Sequence, residues 1–416
     1  MQPERIVFER ATVLDVVAGR SVPGQRVVVE GGRIARVEPM EAPAPPAERT
    51  IDCAGRTLMP GLCDAHVHVI AWTANLSELM RTSAAYTAAR AAEIMREMLL
   101  RGFTTVRDAG GADYGLARAV EEGVIAGPRL LFCGHGLSPT GGHADLRARG
   151  EEVVEGLAMG LGRLCDGVAE VQRACRDEIR KGAHHIKLML NGGIASPTDR
   201  LDNLQFSDAE VRAAVEEAEM AGLYVTAHTY TARAVNRAIR LGVRSLEHCN
   251  LIDEESVELF LRHGAVMVPT LVTYEALARE GVAAGLPADL LGKLERVREA
   301  GLRALELAHS AGVPLVYGTD LLGAMHREQL EELAIRAQVQ PPIDVIRAAT
   351  CNAAALFGEA GETGVVAPGA RADLLLVSGD PLSDLGCLRE PERCLDLVMK
   401  GGVIYKDNTA RHALSA

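Results

Sequence analysis

Length, composition and charge set the first limits on this chain. It has 416 residues, of which 48% are hydrophobic and 3% aromatic, and a formal net charge of −12. That length is enough for a large buried core, since an α/β barrel alone takes about 250 residues or more. The acidic balance and the scarcity of aromatic residues argue against a nucleic-acid partner.

Neither a targeting signal nor a membrane span is predicted. The opening MQPERIVFER is charged and lacks the apolar core of a signal peptide. No apolar run reaches the roughly 18 residues of a transmembrane helix. The nine cysteines include no CxxC pair, which is typical of reduced thiols. We therefore expect a cytoplasmic protein that makes no membrane contact.

In chain order, the first predicted elements are short strands. RIVFERATVLD and GQRVVVEGGRIARVEP are β-branched runs broken by glycine turns, and the loop EAPAPPAER follows them. ADLLLVSGD and DLVMKGGVIYKD repeat this style near the other end. We expect residues 1–56 and 362–416 to join in one small β-sandwich domain.

Residues 57–361 alternate short apolar strands with amphipathic helices. The eight candidate strands are TLMPGLCDAHVHV, FTTVRD, RLLFCG, HHIKLML, LYVTAH, RSLEHC, AVMVPT and PLVYGTD. A typical helix is SDAEVRAAVEEAEMAG, with Ser207 as N-cap and Glu210 three residues later. Eight such units predict the α/β fold class, as a (β/α)8 TIM-type barrel.

Polar side chains stand at the ends of several of these strands. They are His66, His68, Lys187, His228, His248 and Asp320. The carboxyl ends of barrel strands meet at one mouth, where active sites lie. Alternate residues of a strand share a face, so His66 and His68 can point at one ion. Imidazole and carboxylate ligands without thiolates favour Zn²⁺, with Mn²⁺ or Co²⁺ as alternatives.

Each of these residues also has a simpler interpretation. A single histidine on a strand is commonly structural, and Asp320 fits a helix N-cap. Lys187 is harder to explain, because IKLML places an ammonium in an apolar strand. A salt bridge, a Schiff-base lysine and a carbamate formed with CO₂, able to bridge two cations, are all open. We expect His185, on the same face, to be structural.

Five motifs, in this order, resemble the amidohydrolase superfamily. They are PGLCDAHVHV, HHIKLMLNGG, VTAHTYTARAVNRAI, GVRSLEHC and YGTD. A further likeness lies in the segment where the chain of superfamily members passes from the barrel back into the β-sandwich. Here that segment is ATCNAAALFGEAGETGVVAPGARADLLLVSGDPLSD. The likeness spans about residues 5–406. LSPTGGHADLR and AHTYT are similar to the metal-dependent Xaa-Pro dipeptidase, or prolidase-type, branch of the imidazolonepropionase-like group.

The resemblance implies a binuclear centre of two divalent metal ions, with Zn²⁺ expected. One ion would be held by His66, His68 and Asp320, and the other by His228 and His248. A hydroxide would bridge the two ions and attack the substrate.

The same resemblance implies roles for three further residues and a second role for Asp320. Lys187, N6-carboxylated, would bridge both ions, and Asp320 would also act as proton shuttle. His143 would contact the scissile carbonyl oxygen or its tetrahedral successor. Tyr230 would bind a substrate carboxylate or the oxyanion. Because imidazolonepropionase uses one metal and no bridging lysine, Lys187 argues against that activity.

The implied reaction is hydrolysis of the amide bond of a dipeptide, L-Xaa-L-Pro or similar, with release of the C-terminal amino acid. The alternative is an N-acyl-amino-acid or cyclic-amide hydrolase of the hydantoinase or dihydroorotase kind, including one for xenobiotic amides. A third hypothesis is a barrel protein that has lost catalytic activity and functions in binding or assembly. The two enzyme hypotheses predict a small-molecule substrate, and we expect a homo-oligomer.

Three residues after the eighth candidate strand have no assigned role. Met325, His326 and Arg327 lie near the predicted mouth in GTDLLGAMHREQLEEL. A solvated helix face is the simplest interpretation of this segment.

Overall fold

The computed structural model describes residues 5–151 and 160–412. Its strands are β1 (Arg5–Asp15), β2 (Arg20–Glu30), β3 (Arg33–Pro39), β4 (Arg49–Asp52), β5 (Thr57–Pro60), β6 (Leu62–Val67), β7 (Phe103–Asp108), β8 (Arg129–Phe132), β9 (Gly136–Ser138), β10 (Gly162–Leu164), β11 (Ile186–Met189), β12 (Val225–Thr231), β13 (Ser245–Leu251), β14 (Val266–Val268), β15 (Leu374–Val377), β16 (Leu395–Lys400) and β17 (Val403–Asp407).

The helices of the described residues lie mainly between the parallel strands. They are α1 (Leu76–Arg81), α2 (Ala84–Leu100), α3 (Tyr114–Glu121), α4 (Val168–Arg180), α5 (Asp208–Met220), α6 (Ala232–Arg240), α7 (Glu254–His263), α8 (Leu271–Glu280), α9 (Leu291–Ala311), α10 (Glu331–Arg336), α11 (Pro342–Ala348), α12 (Cys351–Phe357), α13 (Gly386–Arg389) and α14 (Pro391–Cys394). None of them is long and apolar enough to cross a bilayer.

One sheet combines strands from both terminal parts of the chain. Its order is β17-β16-β15-β5-β1-β2-β3, and β4 also pairs with β1. In the antiparallel β5–β15 pair, Leu58 lies opposite Leu376. Phe8 and Ile34 from one terminal part and Leu397 from the other belong to a single buried cluster. The two terminal segments therefore share one sheet and one apolar core, and we call this sheet the terminal sheet.

Two further sheets are parallel. Their orders are β6-β7-β8 and β10-β9-β11-β12-β13-β14. Helices follow most of these strands along the chain and cover them with apolar faces. Val211 and Ala218 of α5, for example, pack in one cluster with Leu188 of β11. α5 begins as predicted, with Ser207 and Glu210 in a reciprocal capping box. The predicted α/β class is confirmed.

Backbone hydrogen bonds link the two parallel sheets on both sides. Segment 314–320 lies between β14 and β6: Val316 N donates to Met267 O at 3.0 Å, and Ala65 N donates to Tyr317 O at 2.8 Å. On the other side, His184 N donates to the carbonyl oxygen of the last residue of β8 at 2.8 Å. These links bring the carboxyl ends of both sheets to one side of the molecule.

Two predicted strands differ from the structure. TLMPGLCDAHVHV is divided at Gly61, where an added Cβ would lie 2.1 Å from Thr104 Oγ1. β5, before this glycine, belongs to the terminal sheet, and β6, after it, belongs to a parallel sheet. Among the described residues, PLVYGTD forms a single isolated bridge, Leu315 to Met267, and no regular strand. β9 and β10 were not predicted.

Candidate metal centre and active site

Seven of the eight predicted site residues line one open cavity. They are His66, His68, His143, Lys187, His228, His248 and Asp320. The eighth, Tyr230, lies just behind them, its ring 4.7 Å from that of His228. The cavity has an apolar side that includes Leu146, Met189 and Leu322. Residues from most of the parallel strands thus meet at one place, at the carboxyl ends of those strands.

His66, His68 and Asp320 form a compact triad. Asp320 Oδ1 lies 3.5 Å from His66 Nε2 and 3.2 Å from His68 Nε2. One ligand atom from each residue lies within 4.8 Å of the other two. Ligands bound about 2.1 Å from a tetrahedral Zn²⁺ are about 3.4 Å apart. The spacing of these three atoms therefore fits a single divalent ion.

The second ring nitrogen of both triad histidines is hydrogen-bonded. His66 Nδ1 lies 2.7 Å from Glu247 Oε2, and His68 Nδ1 lies 3.0 Å from the carbonyl oxygen of Gly110. Both partners are acceptors, so each imidazole donates from Nδ1 away from the triad and directs its Nε2 toward Asp320. Histidines that bind metal ions are oriented in this way.

His228 and His248 lie beside the triad. Their ring centroids are 4.6 Å apart, and the His248 ring is 4.9 Å from that of His66. His248 Nδ1 contacts Thr270 Oγ1 at 2.8 Å. Burial lowers the pKa of His66 to about 4 and holds the pKa values of His228 and His248 well below the ordinary range. These rings are therefore neutral at pH 7, the form that binds a metal ion.

Lys187 is a buried amine beside these imidazoles. It is 1% exposed, and within the described ranges no hydrogen bond or ion pair joins its Nζ to another residue. Burial lowers its pKa, although Glu247 and Asp320 favour the charged form. An unpaired ammonium at this depth is costly, so the geometry argues against the predicted alternative of an ordinary salt bridge.

Left-handed backbone at two positions brings ligands to the cavity. His248 has a φ of 73° and Asp320 a φ of 53°, a region that non-glycine residues rarely adopt. In a regular strand, Glu247 and His248 would face opposite sides of the sheet. The irregular backbone lets Glu247 reach His66 while the next residue lines the cavity. Strain of this kind is characteristic of functional sites.

Glu247 is the centre of a buried polar layer that sequence reasoning missed. It is 0% exposed. Its Oε1 accepts hydrogen bonds from Arg107 Nη2 at 2.8 Å, from Ser245 Oγ at 2.7 Å and from Thr226 Oγ1. Its Oε2 faces His66. A carboxylate directly before His248 in a predicted barrel strand was the available sequence signal.

His143 and Tyr230 lie on the far side of His228. The His143 ring stacks on that of His228 with centroids 4.1 Å apart and an interplanar angle of 29°. The Tyr230 ring lies 5.2 Å from that of His248 and 6.2 Å from that of Tyr274. Burial raises the pKa of Tyr230, so its hydroxyl keeps its proton and can donate a hydrogen bond.

The residues without an assigned role lie outside the cavity lining. His185 is fully buried and stacked on Tyr224, and neither of its ring nitrogens has a hydrogen-bond partner among the described residues. Met325 and His326 are also buried, and His326 Nε2 lies 3.1 Å from the carbonyl oxygen of Ala71. The prediction of a solvated helix face is therefore wrong for these two residues, because this turn packs into the core. It holds only for Arg327, which pairs with a surface glutamate.

Comparisons with known proteins agree with this geometry. The family model for the amidohydrolase family matches residues 57–405. Ochratoxinase of Aspergillus niger is 35% identical over 365 residues, which are 84% of this chain and 75% of that protein. A crystal structure of a prolidase complexed with N-methylphosphonate-L-proline is 43% identical, with a TM-score of 0.94, covering 97% of this chain and 100% of that one.

A more distant structure is that of a Xaa-Pro dipeptidase with bound methionine in its active site. It is 27% identical, with a TM-score of 0.88, and the match covers 97% of this chain and 100% of that one. The predictions of an amidohydrolase and of an enzyme that hydrolyses amide bonds are confirmed. This chain belongs to the amidohydrolase family.

Proposed function

We propose that this chain is a binuclear metal-dependent dipeptidase that hydrolyses L-Xaa-L-Pro or a similar dipeptide and releases the C-terminal amino acid. The observation that carries the proposal is the convergence of three ligand atoms within 4.8 Å of one another, next to Lys187, His228 and His248. The 43% identity to a prolidase crystallised with N-methylphosphonate-L-proline supports the substrate class.

The donor set fits two divalent ions, for which we propose Zn²⁺. His66, His68 and Asp320 would hold one ion, and His228 and His248 the other. The ions supply Lewis-acid chemistry, polarising a carbonyl group and lowering the pKa of a water molecule. The neutral imidazoles and the occupied Nδ1 atoms of the triad histidines support this assignment.

Lys187 would join the two ion sites as its N6-carbamate. The buried amine has no anionic partner within hydrogen-bonding distance among the described residues. Its lowered pKa favours the neutral form, which is the form that reacts with CO₂. Carboxylation would turn this neutral amine into an anion with two oxygen ligands, and the two ions would compensate its charge.

Asp320 is the proposed proton shuttle. Burial opposes its ionisation, yet the neighbouring His66 and His68 hold its pKa below the ordinary range. Its side chain is 21% exposed, against 2% and 8% for these two histidines, so it has room to face both water and substrate. It accepts a proton from the attacking water and passes it to the leaving nitrogen.

The protein provides further groups on the substrate side. The Tyr230 hydroxyl would donate a hydrogen bond to the substrate carboxylate or the oxyanion, and His143 faces the substrate across the cavity. For the fold, we propose a (β/α)8 barrel over residues 61–361 and a β-sandwich of residues 5–60 and 362–412; the predicted boundary at residue 57 moves because β5 belongs to the terminal sheet. The links between the parallel sheets through residues 314–320 and His184 support the barrel.

A dipeptide library and a set of N-acyl amino acids, incubated with zinc-loaded enzyme, test the substrate class. We expect release of proline from Xaa-Pro dipeptides, with Asp320→Asn as the inactive control. If no dipeptide releases an amino acid, the proposal is wrong. The second candidate is N-acyl-amino-acid hydrolysis, favoured by the apolar side of the cavity and by the 35% identity to ochratoxinase. Faster cleavage of acyl amino acids would select it.

A further inference from the structure

A buried carboxylate next to the first two metal-binding histidines is tied to the segment that carries Asp320. Asp64 of β6 is 0% exposed and lies two residues before His66. Its Oδ2 accepts a hydrogen bond from Thr319 Oγ1 at 2.6 Å, and its Oδ1 accepts one from the backbone N of Thr319 at 3.2 Å. Neither Asp64 nor Thr319 has a part in the proposed mechanism so far.

These contacts act on a turn that the backbone by itself disfavours. Asp320 has a φ of 53°, and a non-glycine residue keeps such a conformation only where its surroundings impose it. The backbone N of Asp320 donates to the carbonyl oxygen of His66 at 2.8 Å, and the Asp64 carboxylate holds Thr319, the residue immediately before the turn. Gly318 permits this close approach, since an added Cβ there would lie 3.0 Å from His66 Cβ.

The Asp64 carboxylate is itself fixed by further donors. Gln329, which is 1% exposed, donates from Nε2 to Asp64 Oδ2 at 2.9 Å. Its Oε1 accepts hydrogen bonds from Arg101 Nε and Nη2 at 3.2 and 3.1 Å, and because a guanidinium can only donate, these contacts set the direction of the amide. The backbone N of His66 donates to Asp64 Oδ1 at 3.1 Å. Both carboxylate oxygens are therefore held in place.

One oxygen of Asp64 thus joins the two chain segments that supply the triad. Its Oδ1 accepts from the backbone N of His66 and from the backbone N of Thr319, so it sets the distance between β6 and the turn at Asp320. The Asp320 carboxylate lies 3.5 and 3.2 Å from the Nε2 atoms of His66 and His68. A functional site of this kind needs its groups placed within about 0.5 Å, and a small shift of the turn would exceed that.

We propose that Asp64 and Thr319 are positioning residues that hold the turn at Asp320 against β6, so that the triad is formed before an ion binds. This inference rests on the proposed function, in which Asp320 is a metal ligand and the proton shuttle. The Thr319 hydroxyl is the group that a substitution removes with least disturbance. Thr319→Val keeps the shape of the side chain and loses the hydrogen bond to Asp64, whereas Thr319→Ser keeps the hydroxyl.

Zinc titration of the full chain against a fluorescent chelator, together with kinetics on an Xaa-Pro dipeptide, tests this role. Removing a group that orients a metal ligand costs about 10–100-fold in metal affinity or activity, and we expect this loss of zinc affinity in Thr319→Val. Its kcat should fall while KM stays nearly unchanged, because Thr319 is buried outside the cavity lining. Thr319→Ser should recover most of both. Thr104→Val, which removes a buried hydroxyl without a partner among the described residues, is the matched control and should change neither.

A purely structural hydroxyl would lower the free energy of unfolding of Thr319→Val and leave its zinc affinity unchanged, and that result would overturn the inference. Equal losses in Thr319→Val and Thr319→Ser would also overturn it, because the hydroxyl would not be the group responsible. If Thr319→Val does not fold, Asp64→Asn takes its place, with the same expected loss of zinc affinity. A wild type that binds zinc but cleaves no amide contradicts the proposed function alone, since the zinc affinities still test the positioning role. A wild type that binds no zinc overturns both.

Discussion

Glu247→Gln tests whether the buried polar layer supports the metal site. The substitution keeps the shape of the side chain and removes its charge. Oε1 receives three hydrogen bonds, including one from Arg107, so this position must stay an oxygen. The new amide nitrogen is therefore directed at His66 Nδ1. Since an amide N–H can only donate, His66 must accept at Nδ1 and move its own proton to Nε2, the atom expected to bind the metal ion.

The expected losses of stability and of metal affinity follow from these contacts. Arg107 and Glu247 are both fully buried, and breaking such a pair from one side costs about 3–5 kcal/mol. We expect urea unfolding of the metal-free protein to show this loss of stability. Misorienting a metal-binding histidine lowers metal affinity by about 10–100-fold, which zinc titration against a fluorescent chelator would measure.

A matched control is Glu306→Gln, at an exposed position on α9. It should change neither the unfolding free energy nor the zinc affinity. An unfolding free energy and a zinc affinity for Glu247→Gln equal to those of the wild type would refute the reasoning. A loss of stability with unchanged zinc affinity would refute the part that concerns the proton on His66.

Three further predictions concern other residues. Asp320→Asn should lower kcat by about 10²–10⁴-fold while part of the zinc stays bound, and a near wild-type rate would exclude it as proton shuttle. Lys187→Ala should empty the centre, and added propionate should restore part of the zinc content measured by elemental analysis. Burial lowers the pKa of Lys400 to about 8 from 10.5, so the unfolded chain binds more protons between these pH values. The contribution of Lys400 to stability therefore rises with pH over that range, and the unfolding free energy of wild type minus that of Lys400→Met should rise likewise.

The sequence was most informative where the backbone is regular. His66 in β6 and His68 just beyond its end both line the cavity, as strand alternation predicted for residues two apart. Ser207 and Glu210 marked the start of a helix because their side chains bond to the nearest backbone groups. Such signals are local and need no knowledge of the rest of the molecule.

Other parts of the site depend on contacts that no local pattern contains. Strand alternation predicts that the side chains of Glu247 and His248 point to opposite faces of the sheet. The positive φ at His248 breaks this alternation, so both side chains reach the metal centre. Ser196, whose Oγ lies 2.9 Å from His143 Nδ1, is in a loop without periodicity. Lys293 donates to its carbonyl oxygen from nearly a hundred residues further along the chain. The identity of their partners is set by tertiary structure, so these residues were not predicted.

The mixed origin of the terminal sheet affects how the protein is made. β5 pairs on one side with β1 and on the other with β15. Because β15 follows all the parallel strands in the chain, it leaves the ribosome after them. Until then β5 has a free apolar edge, and such edges invite aggregation. A cell that translates this chain must therefore keep that edge shielded through most of synthesis.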